Sequence, residues 1–167
     1  SLHDALPISV QIAMEELPIT IHGSTVVVIG FGRVGTTTAR VFKSLGARVI
    51  VSARRRALLA RAIELSLDTV YQRDLVTVLP SADIIINTVP VQVLGEEELA
   101  KVRPEALIID LASPPGGTDF EEAKRLKLKA ILAPGLPGKV APKTAGIILA
   151  SAIPKLIASF MNGGGGK

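Results

Sequence analysis

The chain has 167 residues, a net charge of +4, no cysteine, and 48% apolar residues that include four Phe and one Tyr but no Trp. That length suits one domain with a proper core, and with so few rings the core must be Val, Ile, Leu and Ala, as in strands buried on both faces of a parallel sheet. Disulfides, thiolate metal sites and a cysteine nucleophile are excluded; no metal site is expected, and a modest charge that is dense only at Arg54-Arg55-Arg56 speaks against nucleic acid as a partner.

In chain order, Ser1 to Ser9 form no coherent pattern and lack the basic start and apolar run of a secretory signal. Residues 1–9 read as a disordered or foreign lead. Val10–Leu17 has helical spacing, and a nucleotide-type domain that opens on a lone helix outside the sheet reads as a piece of something larger. His22 precedes the first strand and reads as a surface or domain-contact residue. Then comes the most informative stretch: a β-branched strand, Thr25–Ile29, runs into Gly30-Phe31-Gly32-Arg33-Val34-Gly35, and a helix follows over Arg33–Leu45. In that context G-x-G-x-x-G is a dinucleotide fingerprint. Gly30 allows the tight turn, Gly32 the approach of a pyrophosphate, and Gly35 close helix–strand packing, while the helix N-terminus offers N–H groups to phosphate. The other reading is a structural turn without ligand.

Gly46 is the expected stop of that helix. Further strands are expected at Arg48–Ser52, Thr69–Tyr71, Asp83–Thr88, Ala106–Leu111 and Lys129–Ala133, with helices at Arg55–Leu65, Leu75–Leu79, Glu96–Val102, Phe120–Leu126 and Thr144–Met161. Pro80 should close the third helix, Thr118 or Asp119 should cap the helix at Phe120, and Pro154 should kink the last one. Ala145 to Phe160 is apolar but interrupted by Pro154 and Lys155, too short and broken to span a bilayer. Strand–helix alternation with the fingerprint after the first strand implies an α/β, Rossmann-type doubly wound parallel sheet of six strands in the order 3-2-1-4-5-6. The domain is expected over 10–161, with 162–167 a flexible tail.

An NAD site places Asp or Glu at the end of the second strand to hold the ribose 2′-OH. Here Ser52-Ala53-Arg54-Arg55 stands there, and no carboxylate follows before Glu64. A hydroxyl and guanidinium forks suit a 2′-phosphate, so NADP is expected over NAD. A solvated basic turn is the plainer reading of the same residues. Ligands of open α/β sheets lie beyond the carboxyl ends of the strands. Three further loops fall there: Thr88-Val89-Pro90 after the fourth strand, Ala112-Ser113 after the fifth, and Gly135-Leu136-Pro137 after the sixth. All are expected at the cofactor, with ordinary turn chemistry the plainer reading of any one of them. Acid–base candidates are few: Asp110, which ends a strand and whose plainer reading is a cap on the following turn, and Lys143, which could meet an anionic substrate or the nicotinamide carboxamide or be merely solvated.

These segments together resemble the C-terminal nucleotide-binding domain of the family formed by the A subunits of dipicolinate synthase. The resemblance spans Val10 to Phe160 and rests on Ile21-His22-Gly23-Ser24, Gly30-Phe31-Gly32-Arg33, Asn87-Thr88-Val89-Pro90, the run Asp110 to Phe120, and the run Ala133 to Gly146. It implies an NADP-dependent oxidoreductase that oxidises a dihydrodipicolinate-type precursor to dipicolinate. It also implies work in the mother-cell cytoplasm of a sporulating bacterium, with the B subunit of dipicolinate synthase for a partner. Family members carry a further N-terminal domain, so this chain alone is expected to bind cofactor without turning over substrate. The loop Pro137 to Thr144 is also similar to one beside the nicotinamide in methylenetetrahydrofolate dehydrogenases, which implies a place near the chemistry for Lys143 and Thr144. Two other readings stand beside this one. A 2-hydroxyacid dehydrogenase nucleotide domain would want an acidic residue near Ser52 and a downstream Arg–Glu–His set. A regulatory module would sense dinucleotide without chemistry.

Overall fold

Val26 to Ile29 have no solvent exposure at all, which places their strand in the middle of a sheet covered on both faces. The computed structural model describes residues 10–17 and 20–133. Its strands are β1 (Thr25–Ile29), β2 (Arg48–Ala53), β3 (Asp68–Tyr71), β4 (Ile84–Asn87), β5 (Leu107–Asp110) and β6 (Lys129–Leu132). They form one sheet in the order β3-β2-β1-β4-β5-β6, every neighbouring pair parallel. This is the doubly wound arrangement expected, and the order reverses beside β1. The register brings Ser52, Ile29, Asn87 and Asp110 into one row across the carboxyl edge.

Alternation along the strands divides the core in two. Val26, Val28, Val49, Val51, Ile84, Ile86, Leu107 and Ile109 face one layer. That layer consists of α1 (residues 10–16), α2 (Arg33–Ser44) and α3 (Arg56–Glu64). Val27, Ile29, Ile50, Ile85 and Ile108 face the other, made of two 3-10 turns (Gln72–Thr77 and Leu79–Ser81), α4 (Glu96–Leu99) and α5 (Phe120–Arg125).

Three local expectations change. α1 is not an outlying helix: Ile12 and Ala13 are buried in the sheet's core, and Lys129 Nζ donates to the Glu16 carbonyl at 3.1 Å, tying α1 to the edge strand. The expected helix Leu75–Leu79 is instead the pair of 3-10 turns. Pro80 lacks an N–H and Val76 and Val78 are β-branched, so a segment this short turns tightly rather than forming α-helix. The helix expected at Glu96–Val102 ends at Leu99. Gly46 takes a φ of +89°, as its role as helix stop requires. Asp119, not Thr118, caps α5, its Oδ1 accepting from Glu122 N at 3.0 Å. The helix Thr144–Met161 with its Pro154 kink, the lead 1–9 and the tail 162–167 lie outside the described residues. Among the described residues no helix is long and apolar enough to cross a membrane.

Candidate dinucleotide site

At the carboxyl edge, beside the reversal of strand order, β1 ends in a turn built by its glycines. Gly30 has φ +93°, and a Cβ there would overlap Thr88 Oγ1 and lie 2.8 Å from Val89 Cγ2. Its N–H donates to the Ser52 carbonyl at 2.8 Å, which fastens the turn to β2. Thr88 Oγ1 donates to the Ile29 carbonyl at 2.7 Å, fastening it to β4. A Cβ on Gly35 would overlap the Gly30 carbonyl oxygen, so α2 sits directly on the turn; a Cβ on Gly32 would meet nothing within 4 Å. Helix and strand leave the space over Gly32 open.

That space belongs to a cleft of about 670 Å³ whose floor is Gly30 to Gly35, within the usual range for a small-molecule site. Ala53, Arg54 and Arg55 form its β2 side, and Thr88, Val89 and Pro90 its β4 side. These are the sequence-expected residues, brought together. α2 has no side-chain cap at Gly32 and no acidic residue in its first turn. The N–H groups of Arg33, Val34 and Gly35 therefore have no intrahelical acceptor and present partial positive charge to the cleft. Among the described residues no carboxylate pairs with Arg33, Arg54, Arg55 or Arg56. Open backbone over Gly32, free helix N–H groups and guanidinium groups without a carboxylate partner among the described residues suit the phosphates of a dinucleotide. Phe31 is buried beneath the site, with the Arg61 guanidinium 5.7 Å from its ring centroid.

Ser52 must be moved off the cofactor. It is fully buried, lies outside the cleft lining and has no hydrogen-bond partner for its hydroxyl among the described residues. Strand alternation explains this, since residue 53, not 52, carries the side chain that reaches the cleft. Ala53 therefore occupies the position where an NAD site would present its carboxylate, and Arg54 follows. Leu58 and Gln72 also line the cleft and escaped the sequence reading; the residues just past β3 are the signal for Gln72. Beyond it, a second hollow of about 390 Å³ is lined by Arg54, Tyr71, Gln72, Arg73, Glu97 and Glu98. The Arg73 guanidinium lies 4.5 Å from the Tyr71 ring centroid there.

Asp110 lies outside the cleft lining. It is fully buried, and its Oδ1 accepts from Asn87 Nδ2 at 3.1 Å and Ala112 N at 3.0 Å. Its Oδ2 accepts from Gly117 N at 2.9 Å and Thr118 Oγ1 at 2.7 Å. With four donors on two oxygens it acts as an anchor for the loop after β5. Ala112 is held in that loop by its own N–H, Ser113 is exposed, and neither lines the cleft. His22 lies at the opposite, amino-terminal edge of the sheet, packed so closely on Gly46 that a Cβ there would overlap its ring. Gly135, Leu136, Pro137, Lys143 and Thr144 lie outside the described residues. Among those described, no group of three or more His, Asp or Glu gathers as a metal site would.

Comparison with known proteins gives a consistent picture. Residues 11–115 match the family model described as D-isomer specific 2-hydroxyacid dehydrogenase, NAD binding domain. The chain is 49% identical over 152 residues to the A subunit of dipicolinate synthase from Bacillus subtilis (strain 168), covering 91% of this chain and 51% of that protein. The crystal structure of the same synthase's A subunit from Bacillus halodurans is similar with a TM-score of 0.78 at 44% identity, covering 94% of this chain and 55% of that one. Glyoxylate reductase of Thermococcus gammatolerans is 31% identical over 97 residues, covering 55% of this chain and 28% of that protein. The chain thus spans about half the length of the dipicolinate synthase subunits it matches.

Proposed function

Because this chain belongs to the NAD-binding-domain family of the D-isomer specific 2-hydroxyacid dehydrogenases, we propose that its cleft takes NADP in preference to NAD. We also propose that it forms the cofactor half of an oxidoreductase which converts a dihydrodipicolinate-type precursor to dipicolinate. The observation that carries the cofactor choice is the β2 side of the cleft, where Ala53 stands in place of a carboxylate and Arg54 and Arg55, without a carboxylate partner among the described residues, follow. A guanidinium fork matches a phosphate with two parallel hydrogen bonds. Three arginines at the N-terminus of α3, where no acidic residue offsets them, are unfavourable against the helix dipole. An anion bound there would relieve that repulsion. Calorimetric titration of NADP and NAD tests the reading.

The likeness to the dipicolinate synthase relative over 91% of the chain supports this substrate. The bound cofactor would supply a hydride acceptor. The chain's own residues do the positioning: the Gly30–Gly35 turn and α2 hold the pyrophosphate, Arg54 and Arg55 the 2′-phosphate, and Thr88 to Pro90 wall the other half. That relative is by name one subunit of a synthase, which supports the B subunit of dipicolinate synthase for a partner. A further N-terminal domain completing the substrate site agrees with the half-length match, and the mother-cell cytoplasm of a sporulating bacterium follows from the same reading. Lys143 and Thr144 remain our candidates for contact with the nicotinamide or substrate, and Gly135 to Pro137 for the cofactor.

One observation favours a second reading. No Asp, Glu, His or Lys lines the described part of the cleft, as would suit a module that senses dinucleotide without chemistry. NADPH formation from a dihydrodipicolinate precursor by the full-length protein separates the two.

A further inference from the structure

Asp110 lies outside the cleft, yet its hydrogen bonds run to the cleft wall. Asn87 is its neighbour in the sheet register and gives Nδ2 both to Asp110 Oδ1 at 3.1 Å and to the Val89 carbonyl at 2.9 Å. Asn87 Oδ1 in turn accepts from Val89 N at 3.0 Å. The side chain that Asp110 holds is therefore the one that folds the backbone of Thr88 and Val89. The loop on the other side of Asp110 reaches the same segment. A Cβ on Gly117 would overlap Asn87 Nδ2 and lie 2.6 Å from the carbonyl oxygens of Val89 and Val91, and the Gly117 carbonyl accepts from Val93 N and Leu94 N at 2.9 and 3.0 Å. A carboxyl group with no solvent exposure needs hydrogen-bond partners around it, and this one draws all of its donors from the end of β4 and the loop that follows β5.

We propose that Asp110 is a positioning residue which, through Asn87, sets the Thr88–Pro90 wall and so seats the nicotinamide half of the dinucleotide. The inference rests on the dinucleotide reading above. In a doubly wound sheet the adenosine ribose lies at the end of β2, so the half beyond the switch point lies against β4. Asp110→Asn replaces one acceptor oxygen with a donor and sets it against Gly117 N–H or Thr118 O–H, loosening the wall without touching Arg54 or Arg55. Thr118→Val removes one donor and leaves the carboxylate in place, so it reports even if Asp110→Asn does not fold.

The experiment measures binding of NADPH and of adenosine 2′,5′-bisphosphate to the full chain and both variants. With no Trp in the chain, dihydronicotinamide fluorescence is a clean reporter of how that ring is seated. We expect Asp110→Asn to weaken NADPH roughly tenfold or more with loss of its fluorescence enhancement, and Thr118→Val to act in the same direction less strongly, while the bisphosphate changes less than about twofold. Equal weakening of both ligands would mark Asp110 as merely structural and overturn the inference, and so would unchanged NADPH binding. Failure of the unmodified chain to bind NADPH would instead overturn the dinucleotide reading and this inference with it.

Discussion

A Cβ on Gly35 would overlap the carbonyl oxygen of Gly30, so α2 rests on the turn that ends β1 with no room for a side chain between them. Gly32, between the two, has nothing within 4 Å of its Cβ direction and a φ of −80°. The motif thus separates into a glycine that packs and a glycine that leaves open space, and the two should fail differently.

Gly35→Ala must push α2 off the strand, an overpacking that costs about 1–3 kcal/mol and should lower the thermal midpoint. Gly32→Val places its Cβ in open space, and should lower the midpoint less than Gly35→Ala does. Its side chain would fill the space a pyrophosphate needs, so dinucleotide binding should be lost. Calorimetry of unfolding and of binding on both variants checks the pair. Undiminished NADP affinity in folded Gly32→Val would show the turn to be structural only.

Arg54→Ala with Arg55→Ala should erase most of the preference for NADP while leaving NAD affinity nearly unchanged. Charge-assisted hydrogen bonds contribute about 1.5–3 kcal/mol each, so the double variant should lose at least tenfold in NADP affinity. Titration of both dinucleotides into both proteins decides it. Equal affinities in the unmodified chain would refute the claim at the outset.

Asp119→Ala provides the opposite control. It removes the cap on α5, away from the cleft lining, and should cost about 1 kcal/mol of stability with no change in dinucleotide affinity. A parallel fall in affinity would mean that the loops after β5 transmit more to the cleft than the Asp110 contacts account for.

The sheet was readable because its signals are local and covalently close. The run Thr25 to Ile29 is β-branched and apolar, it meets glycine at once, and the same pattern of apolar strand and helix repeats down the chain. Positions 52 and 53 show where such reading loses precision. Both stand at the end of β2 and both are named by the sequence, but only the pleat decides which side chain reaches the cleft, and it is that of Ala53. The two readings of Asp110, acid–base group or cap of the following turn, stay open in sequence for a different reason. Its partners Asn87, Gly117 and Thr118 come from the end of β4 and the loop after β5, and a strand-terminal carboxylate looks the same in sequence whether it is free or saturated. Leu75 to Leu79 carries helical spacing, but the short span and Pro80 favour 3-10 turns over the α-helix that spacing suggests.

The chain by itself should bind NADP and turn over a dihydrodipicolinate precursor poorly or not at all, because the cleft's described walls suit a dinucleotide and supply no acid–base side chain. In a two-domain dehydrogenase the substrate lies between the domains, and this chain spans 51% of the Bacillus subtilis dipicolinate synthase relative. A missing domain would remove one wall of the substrate site and the groups that align the substrate with the cofactor. Alignment can supply roughly 7–11 kcal/mol of barrier reduction, and losing much of that would put the rate below detection. Binding would survive, since the Gly30–Gly35 turn, Arg54, Arg55 and the Thr88–Pro90 wall all belong to this chain. The measurement is the rise of NADPH absorbance with freshly generated precursor, run side by side on this chain and on a full-length protein that carries the N-terminal domain. Turnover by the full-length protein with none by this chain is the expected result; comparable rates in the two would show the second domain to be dispensable and the proposed division of labour to be wrong.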